Sequence, residues 1–190
     1  MDNKECIIRA TVSLINEKGD DIDEITVRDI CKRAGVGLGL VNYYFESKDK
    51  LIETCVERII NGIVEKFAEI REKTENNAPR DKLDRLGNMT LTFLFEHYAV
   101  SRISILTDMR SPGKDDNTMR TYRAYLPLVA ECRPDWGEAK VARMTHCLIT
   151  SMQQAFLRHE AILLTQGVDL KNADERKAYH TRMLRDILGE

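Results

Sequence analysis

The chain has 190 residues, a formal charge of -2 at pH 7, 43% hydrophobic residues and 32% charged ones. That length buries a sizeable core without disulfides, and 4 prolines, 10 glycines and 6% aromatics argue against disorder and against an all-β fold. The near balance of charge excludes a protein that holds nucleic acid by bulk positive charge, so any such contact has to be local and shaped.

Nearly every segment repeats the 3.6-residue period, and the breaks carry helix start and stop chemistry, which predicts an all-α fold of about nine helices. The first helix opens with Asp2 and Glu5 as a capping box and stops at Gly19, before the acidic loop Asp20 to Glu24. A second, short helix starts at Thr26, whose hydroxyl and the Asp29 carboxylate can cap each other, and buries Val27, Ile30, Cys31 and Ala34. Gly35-Val36-Gly37 makes a tight turn into a third short helix, Leu38 to Phe45. Ser47 caps a fourth helix running to about Thr74, which Glu75-Asn76-Asn77-Ala78-Pro79 ends. Helix five runs from Pro79 to about Tyr98 and helix six from Ser101 to Arg110, before a polar loop Ser111 to Asn117. Pro127 should kink or split helix seven, because it removes a backbone donor and crowds the preceding turn. Asp135 with Glu138 reads as the capping box of a long helix eight ending before Gly167, and Asn172 with Glu175 as that of the last helix.

The five cysteines, Cys6, Cys31, Cys55, Cys132 and Cys147, form an odd, widely spaced set without a C-x-x-C pair, as expected of reduced thiols used as small hydrophobes. No apolar run approaches the roughly 18 residues of a membrane span and the start is acidic, so a cytoplasmic protein without membrane contact is expected.

Two short helices joined by a glycine-containing turn are the helix-turn-helix pattern, whose second helix faces the DNA major groove. Small bundles use the same turn for packing alone, so the residues have to decide. The run Thr26-Val27-Arg28-Asp29-Ile30-Cys31-Lys32-Arg33-Ala34-Gly35-Val36-Gly37-Leu38-Gly39-Leu40-Val41-Asn42-Tyr43-Tyr44-Phe45, followed by Ser47-Lys48-Asp49-Lys50-Leu51, closely resembles the DNA-binding module of TetR-family transcriptional regulators. The resemblance covers roughly the first sixty residues. It implies a nine- or ten-helix fold, a three-helix DNA-binding domain over residues 1–46, and a ligand-binding and dimerisation domain over 47–190 that helix 47–74 connects to it.

Val41 and Phe45, four residues apart, should pin the third helix to the core and leave its opposite face free. Gly37 and Gly39 would let the backbone approach base edges, Leu38 and Leu40 could meet thymine methyl groups, and the Asn42 amide suits adenine N6 and N7. Thr26, Arg28, Tyr43, Tyr44 and Lys48 suit phosphates. The bland alternatives are that Tyr44 is half core, that Leu40 packs inward, and that Lys32 and Arg33 form a solvated face. Many family members carry a polar residue where Gly37 stands and a polar or basic one where Leu38 stands, so this turn is weakly capped. The first fifty residues hold eight Lys or Arg against ten Asp or Glu. One such weakly charged face argues for a dimer on two half-sites.

The dimer interface is expected on the last two long helices, from Val141, Met144, Leu148, Met152, Ala155 and Leu163 and from Tyr179, Met183 and Ile187. Candidates for an inducer pocket are Met89, Phe93, Tyr122, Tyr125, Cys147 and Phe156 as apolar wall and Gln153, His97 and His146 as polar anchors, with core packing the alternative for each. No metal or cofactor is expected: His146 and Cys147 are adjacent and point about 100° apart on a helix, and no third ligand converges with them. Nor does the sequence supply a convergent acid, base and nucleophile set for an enzyme. The expected function is a repressor that leaves a palindromic double-stranded DNA operator when a small-molecule inducer binds. The alternative is a helical small-molecule-binding protein without specific DNA readout.

Overall fold

The computed structural model describes residues 2–18, 21–72 and 77–189, with 62–72 as backbone only. The expected stop at Gly19, the start of the acidic loop at Asp20, and the helix end at Thr74 with Glu75 and Asn76 lie outside the described residues. The described chain forms ten α-helices and one 3-10 turn, and no strand. They are α1 (Asn3–Lys18), the turn Ile22–Glu24, α2 (Val27–Ala34), α3 (Gly39–Phe45), α4 (Lys48–Glu72) and α5 (Pro79–Glu96). After these come α6 (Tyr98–Arg110), α7 (Asn117–Cys132), α8 (Glu138–Leu157), α9 (His159–Gln166) and α10 (Ala173–Leu188).

Two compact units result, one of residues 1–71 with 97–110, the other of 72–96 with 111–190. The chain therefore passes from one unit to the other three times, and α6 belongs with α1 to α4 although its sequence neighbours on both sides do not. The first unit closes on Ile7, Ile15, Ile25, Ile30, Val41 and Leu51, all at most 2% exposed. Each such side chain contributes about 1.5–3 kcal/mol on burial. Ion pairs brace its outer faces: the Arg58 guanidinium donates twice to Glu5, which also accepts from Arg9, and Arg33 donates twice to Glu17. Glu5 is thus a hub between α1 and α4.

In the second unit Leu83 and Leu91 of α5, Tyr125 of α7, Leu148 and Phe156 of α8 and Leu184 of α10 form the interior. α7 runs unbroken through Pro127, so the expected split does not occur. Pro127 and Arg123, whose carbonyl loses its helical donor, are both exposed, and water can serve that carbonyl. The long eighth helix, in contrast, is two helices. Arg158 leaves helical geometry at φ -120°, and the His159 imidazole Nδ1 lies 3.0 Å from the Phe156 carbonyl that a continuing helix would use. Its start is also different from expectation: Gly137 is the N-cap, while Asp135 is held by Arg133 at 2.7 and 2.8 Å. That guanidinium keeps the Asp135 carboxyl at about 2, well below its ordinary value. Asn172 caps α10 as expected, accepting from the backbone of Asp174 and Glu175, but Glu175 accepts from the Asp169 N–H and does not return to Asn172.

α5 and α10 cross at Gly87. A β-carbon there would stand 1.9 Å from His180 Nε2, so a glycine inside a helix, ordinarily a cost of about 1 kcal/mol, makes room for a buried ring. His180 is fully buried, with Nδ1 3.3 Å from Asp84 Oδ1. Burial pushes its pKa down, and Asp84 opposes that shift only in part.

Candidate nucleic-acid interface

The Thr26–Asp29 capping box forms as the spacing predicts: the Thr26 hydroxyl accepts from the Asp29 N–H at 3.1 Å, and the Asp29 carboxylate accepts from the Thr26 N–H at 3.0 Å. The hydroxyl hydrogen goes to the same carboxylate at 2.6 Å, and these bonds hold the Asp29 pKa below its usual value. Thr26 therefore has no spare donor for a phosphate unless Asp29 lets go. α2 buries Ile30 and Cys31 and ends at Gly35, whose φ of 68° is the left-handed conformation that a helix C-cap needs.

The turn into α3 bonds through backbone: Val36 N–H donates to the Cys31 carbonyl and Leu40 N–H to the Gly37 carbonyl, each at 3.1 Å. α3 starts at Gly39, one residue later than expected. Its N-cap is Leu38, and no side chain caps it. Val41 is fully buried and Phe45 5% exposed, so the four-residue spacing seats the helix as the sequence predicts. The other face is open. Leu38 is 55% exposed and Tyr43 77%, with Asn42 and Arg28 also exposed. A β-carbon at Gly37 or Gly39 would meet nothing within 4 Å, so neither glycine is required by packing inside the chain. Leu40 and Tyr44 are half-buried, and Tyr44 stacks edge-on with Tyr43 at 5.0 Å.

Ser47 caps α4 by accepting from the Lys50 N–H at 3.1 Å, while Lys48 is half-buried and its ammonium donates to the Asp23 carbonyl at 3.3 Å. Of the expected solvated pair, Lys32 is exposed, but Arg33 is committed to Glu17 and to the Ser13 hydroxyl. That brace holds the Glu17 carboxyl at about 2 and ties α2 to α1. Nothing local in the sequence signals it, since sixteen residues separate the partners. In the same unit Arg110, at the end of α6, pairs with Glu53 of α4, which also pairs with Lys50 at 3.2 Å.

The inducer-pocket candidates do not form one set. Tyr125 and Phe156 are buried core, with the Tyr125 hydroxyl 2.6 Å from that of Thr90 and its pKa pushed up by burial. Gln153 is buried and donates to the Thr118 hydroxyl at 2.9 Å, and Met89, Phe93 and Tyr122 are half-buried. His146 and Cys147 are exposed on α8, and His97 is exposed and belongs to the first unit. Of the dimer candidates, Leu148, Met152 and Ala155 are at most 2% exposed and Val141 6%, so they fill their own unit. Met144, Tyr179, Met183 and Ile187 are half-buried, and Leu163 is exposed. Its neighbour Leu164, which the periodicity did not single out, is 86% exposed. Among the described residues no three His, Cys, Asp or Glu side chains converge as metal ligands, and no helix is long and apolar enough to cross a membrane.

Residues 7–55 match the family model described as bacterial regulatory proteins, tetR family. Over 91 residues the chain is 34% identical to the HTH-type transcriptional regulator BetI 2 of Chromohalobacter salexigens, a match covering 47% of this chain and 43% of that protein. Over 80 residues it is 36% identical to the regulator BetI of Stenotrophomonas maltophilia, covering 42% and 39%. The chain thus matches less than half the length of these relatives. Likeness in structure extends further. A TetR transcriptional regulator from Rhodococcus sp. RHA1 superposes with a TM-score of 0.55 at 14% identity, covering 99% of this chain and 95% of that one. A structure described as the molecular basis for control of antibiotic production by bacterial hormones gives 0.58 at 16%, covering 98% and 95%. Residues 7–55 thus match the tetR-family model in sequence, and the chain as a whole shares the fold of these solved structures.

Proposed function

We propose that the chain is a ligand-responsive transcriptional regulator of the cytoplasm that binds a palindromic DNA operator as a homodimer and leaves it when a small molecule enters the second unit. The observation that carries this reading is the face of α3. Asn42, Leu38 and Tyr43 stand in solvent on a helix whose opposite side is locked by Val41 and Phe45, and the two glycines beside them answer to no neighbour inside the chain. A side-chain amide on such a face suits adenine, the leucine suits thymine methyl groups, and the bare backbone of Gly37 and Gly39 allows close approach.

Phosphates are met by Arg28, Tyr43 and Lys48, the last after leaving the Asp23 carbonyl, and by backbone donors at the N-termini of α2 and α4. The route from ligand to DNA runs through α6. Its Arg110 is ion-paired to Glu53 on α4, while the chain on either side of α6 belongs to the other unit. A ligand that displaces residues 97–110 pulls on α4, and α4 sets the separation of two recognition helices that must meet grooves about 34–36 Å apart. The match covers less than half of each relative's length, so their own ligands carry no weight here.

Electrophoretic mobility shift on the DNA upstream of the chain's own gene tests this. A specific complex that weakens steeply with salt supports the regulator. Equal affinity for that DNA and for a scrambled duplex contradicts it and favours a small-molecule-binding protein without DNA readout.

A further inference from the structure

α3 and α4 are joined by two residues, and the first holds a conformation that a side chain rarely adopts. Glu46 has φ 66° and ψ -41° and is the one non-glycine residue with positive φ among the described residues. The Ser47 N–H donates back to the Phe45 carbonyl at 2.7 Å. Residues 45–47 therefore close a three-residue turn of the strained hand, whose ideal φ and ψ are about +75° and about -65°. Glycine would take this backbone without a steric penalty, yet the position carries glutamate.

The turn is fixed from both sides. Before it, Phe45 is buried and the Glu46 N–H donates to the Asn42 carbonyl at 3.0 Å. After it, the Ser47 hydroxyl caps α4, Lys48 reaches the Asp23 carbonyl, and Leu51 is fully buried. Strain persists only where its surroundings over-determine it, and such positions cluster where geometry matters to function. Here it sits at the base of the helix bearing Asn42. Side-chain recognition of a base edge tolerates displacement of about 0.5 Å and about 10–20°.

We propose that Glu46 is a positioning residue for DNA readout: its side chain narrows the turn to the one angle of α3 on α4 that its neighbours hold, whereas a glycine admits other angles, so relaxing the turn relieves strain in the fold while weakening recognition. This rests on the reading of α3 as the recognition helix. A purely structural residue would move stability and binding in the same direction, whereas this one moves them in opposite directions.

The test compares full-length Glu46→Gly with Glu46→Ala, which makes the same change of charge but keeps the β-carbon. The probes are a duplex that the wild-type protein enriches from random-sequence DNA and a scrambled duplex of the same composition. Glu46→Gly is expected to melt about 2–4 °C above Glu46→Ala. It is also expected to bind the enriched duplex about tenfold more weakly, with affinity for the scrambled duplex unchanged. A glycine variant that binds the enriched duplex as tightly as the alanine variant, or melts below it, overturns the proposal alone. A wild-type protein that enriches no sequence overturns the recognition-helix reading and this proposal with it.

Discussion

In the first unit Leu38, Asn42 and Tyr43 stand in solvent on a short helix held from behind. In the second, Tyr125, Gln153 and His180 turn inward and meet groups on neighbouring helices. A reading face needs only a seat and an open side, and both follow from spacing along one helix. An interior polar set needs partners that come from distant sequence: thirty-five residues separate Thr90 from Tyr125, and ninety-six separate Asp84 from His180. The first unit is therefore specialised by what it leaves exposed, the second by what it pairs inside.

The sharpest way to break this contrast is at the α5–α10 crossing. Gly87→Ala puts a methyl group 1.9 Å from His180 Nε2. Its expected cost is about 3 kcal/mol, at the upper end for overpacking, measured by denaturant unfolding. A second substitution, His180→Ala, should recover part of that loss, and additive losses would deny that the two positions share one space. On the exposed side, Asn42→Ala should lose about 1–3 kcal/mol of discrimination at a single base pair, measured by competition among operator variants. Lys48→Ala should instead weaken all sequences alike and lower the salt slope by about one. An identical pattern for the two variants would erase the division between base and phosphate contacts.

Tyr125→Phe removes the hydroxyl that meets Thr90 and should cost about 1 kcal/mol of stability, read from the unfolding midpoint. The smallest expected effect is that of pH. Burial lowers the His180 pKa from an ordinary 6.5, so the folded state binds fewer protons than the unfolded one just below that value. His180 therefore contributes stability above pH 6.5 that is lost as pH falls toward the depressed folded pKa. The thermal unfolding midpoint between pH 7 and 5 should decline less steeply in His180→Gln than in the wild type, and parallel profiles would show that His180 does not contribute to the pH dependence.

Much of the first unit was legible in sequence because its signals are short-range. Thr26 with Asp29, Val41 with Phe45 and the Ser47 cap each lie within four residues, and all form as expected. The braces Arg33–Glu17 and Arg58–Glu5 and the Glu46 turn were not legible, since the first two join distant residues and the third breaks a local preference that glutamate does not advertise. In the second unit the periodicity gave the helices but not their breaks. The His159 ring meets the Phe156 carbonyl at the break that divides one expected helix into α8 and α9, which makes ten described helices where about nine were expected. The same periodicity marks Leu148, Met152 and Ala155 as apolar without distinguishing a protomer's own core from a shared surface, and burial assigns them to the core.

Selection from a random duplex library by the full-length protein, followed by footprinting on the enriched sequence, tests whether α3 reads DNA. The expected result is an inverted repeat whose half-site centres lie about 10–10.5 base pairs or a multiple of that apart, protected in the major groove and lost with Asn42→Ala. Enrichment of no sequence, or protection that survives unchanged in that variant, would contradict it.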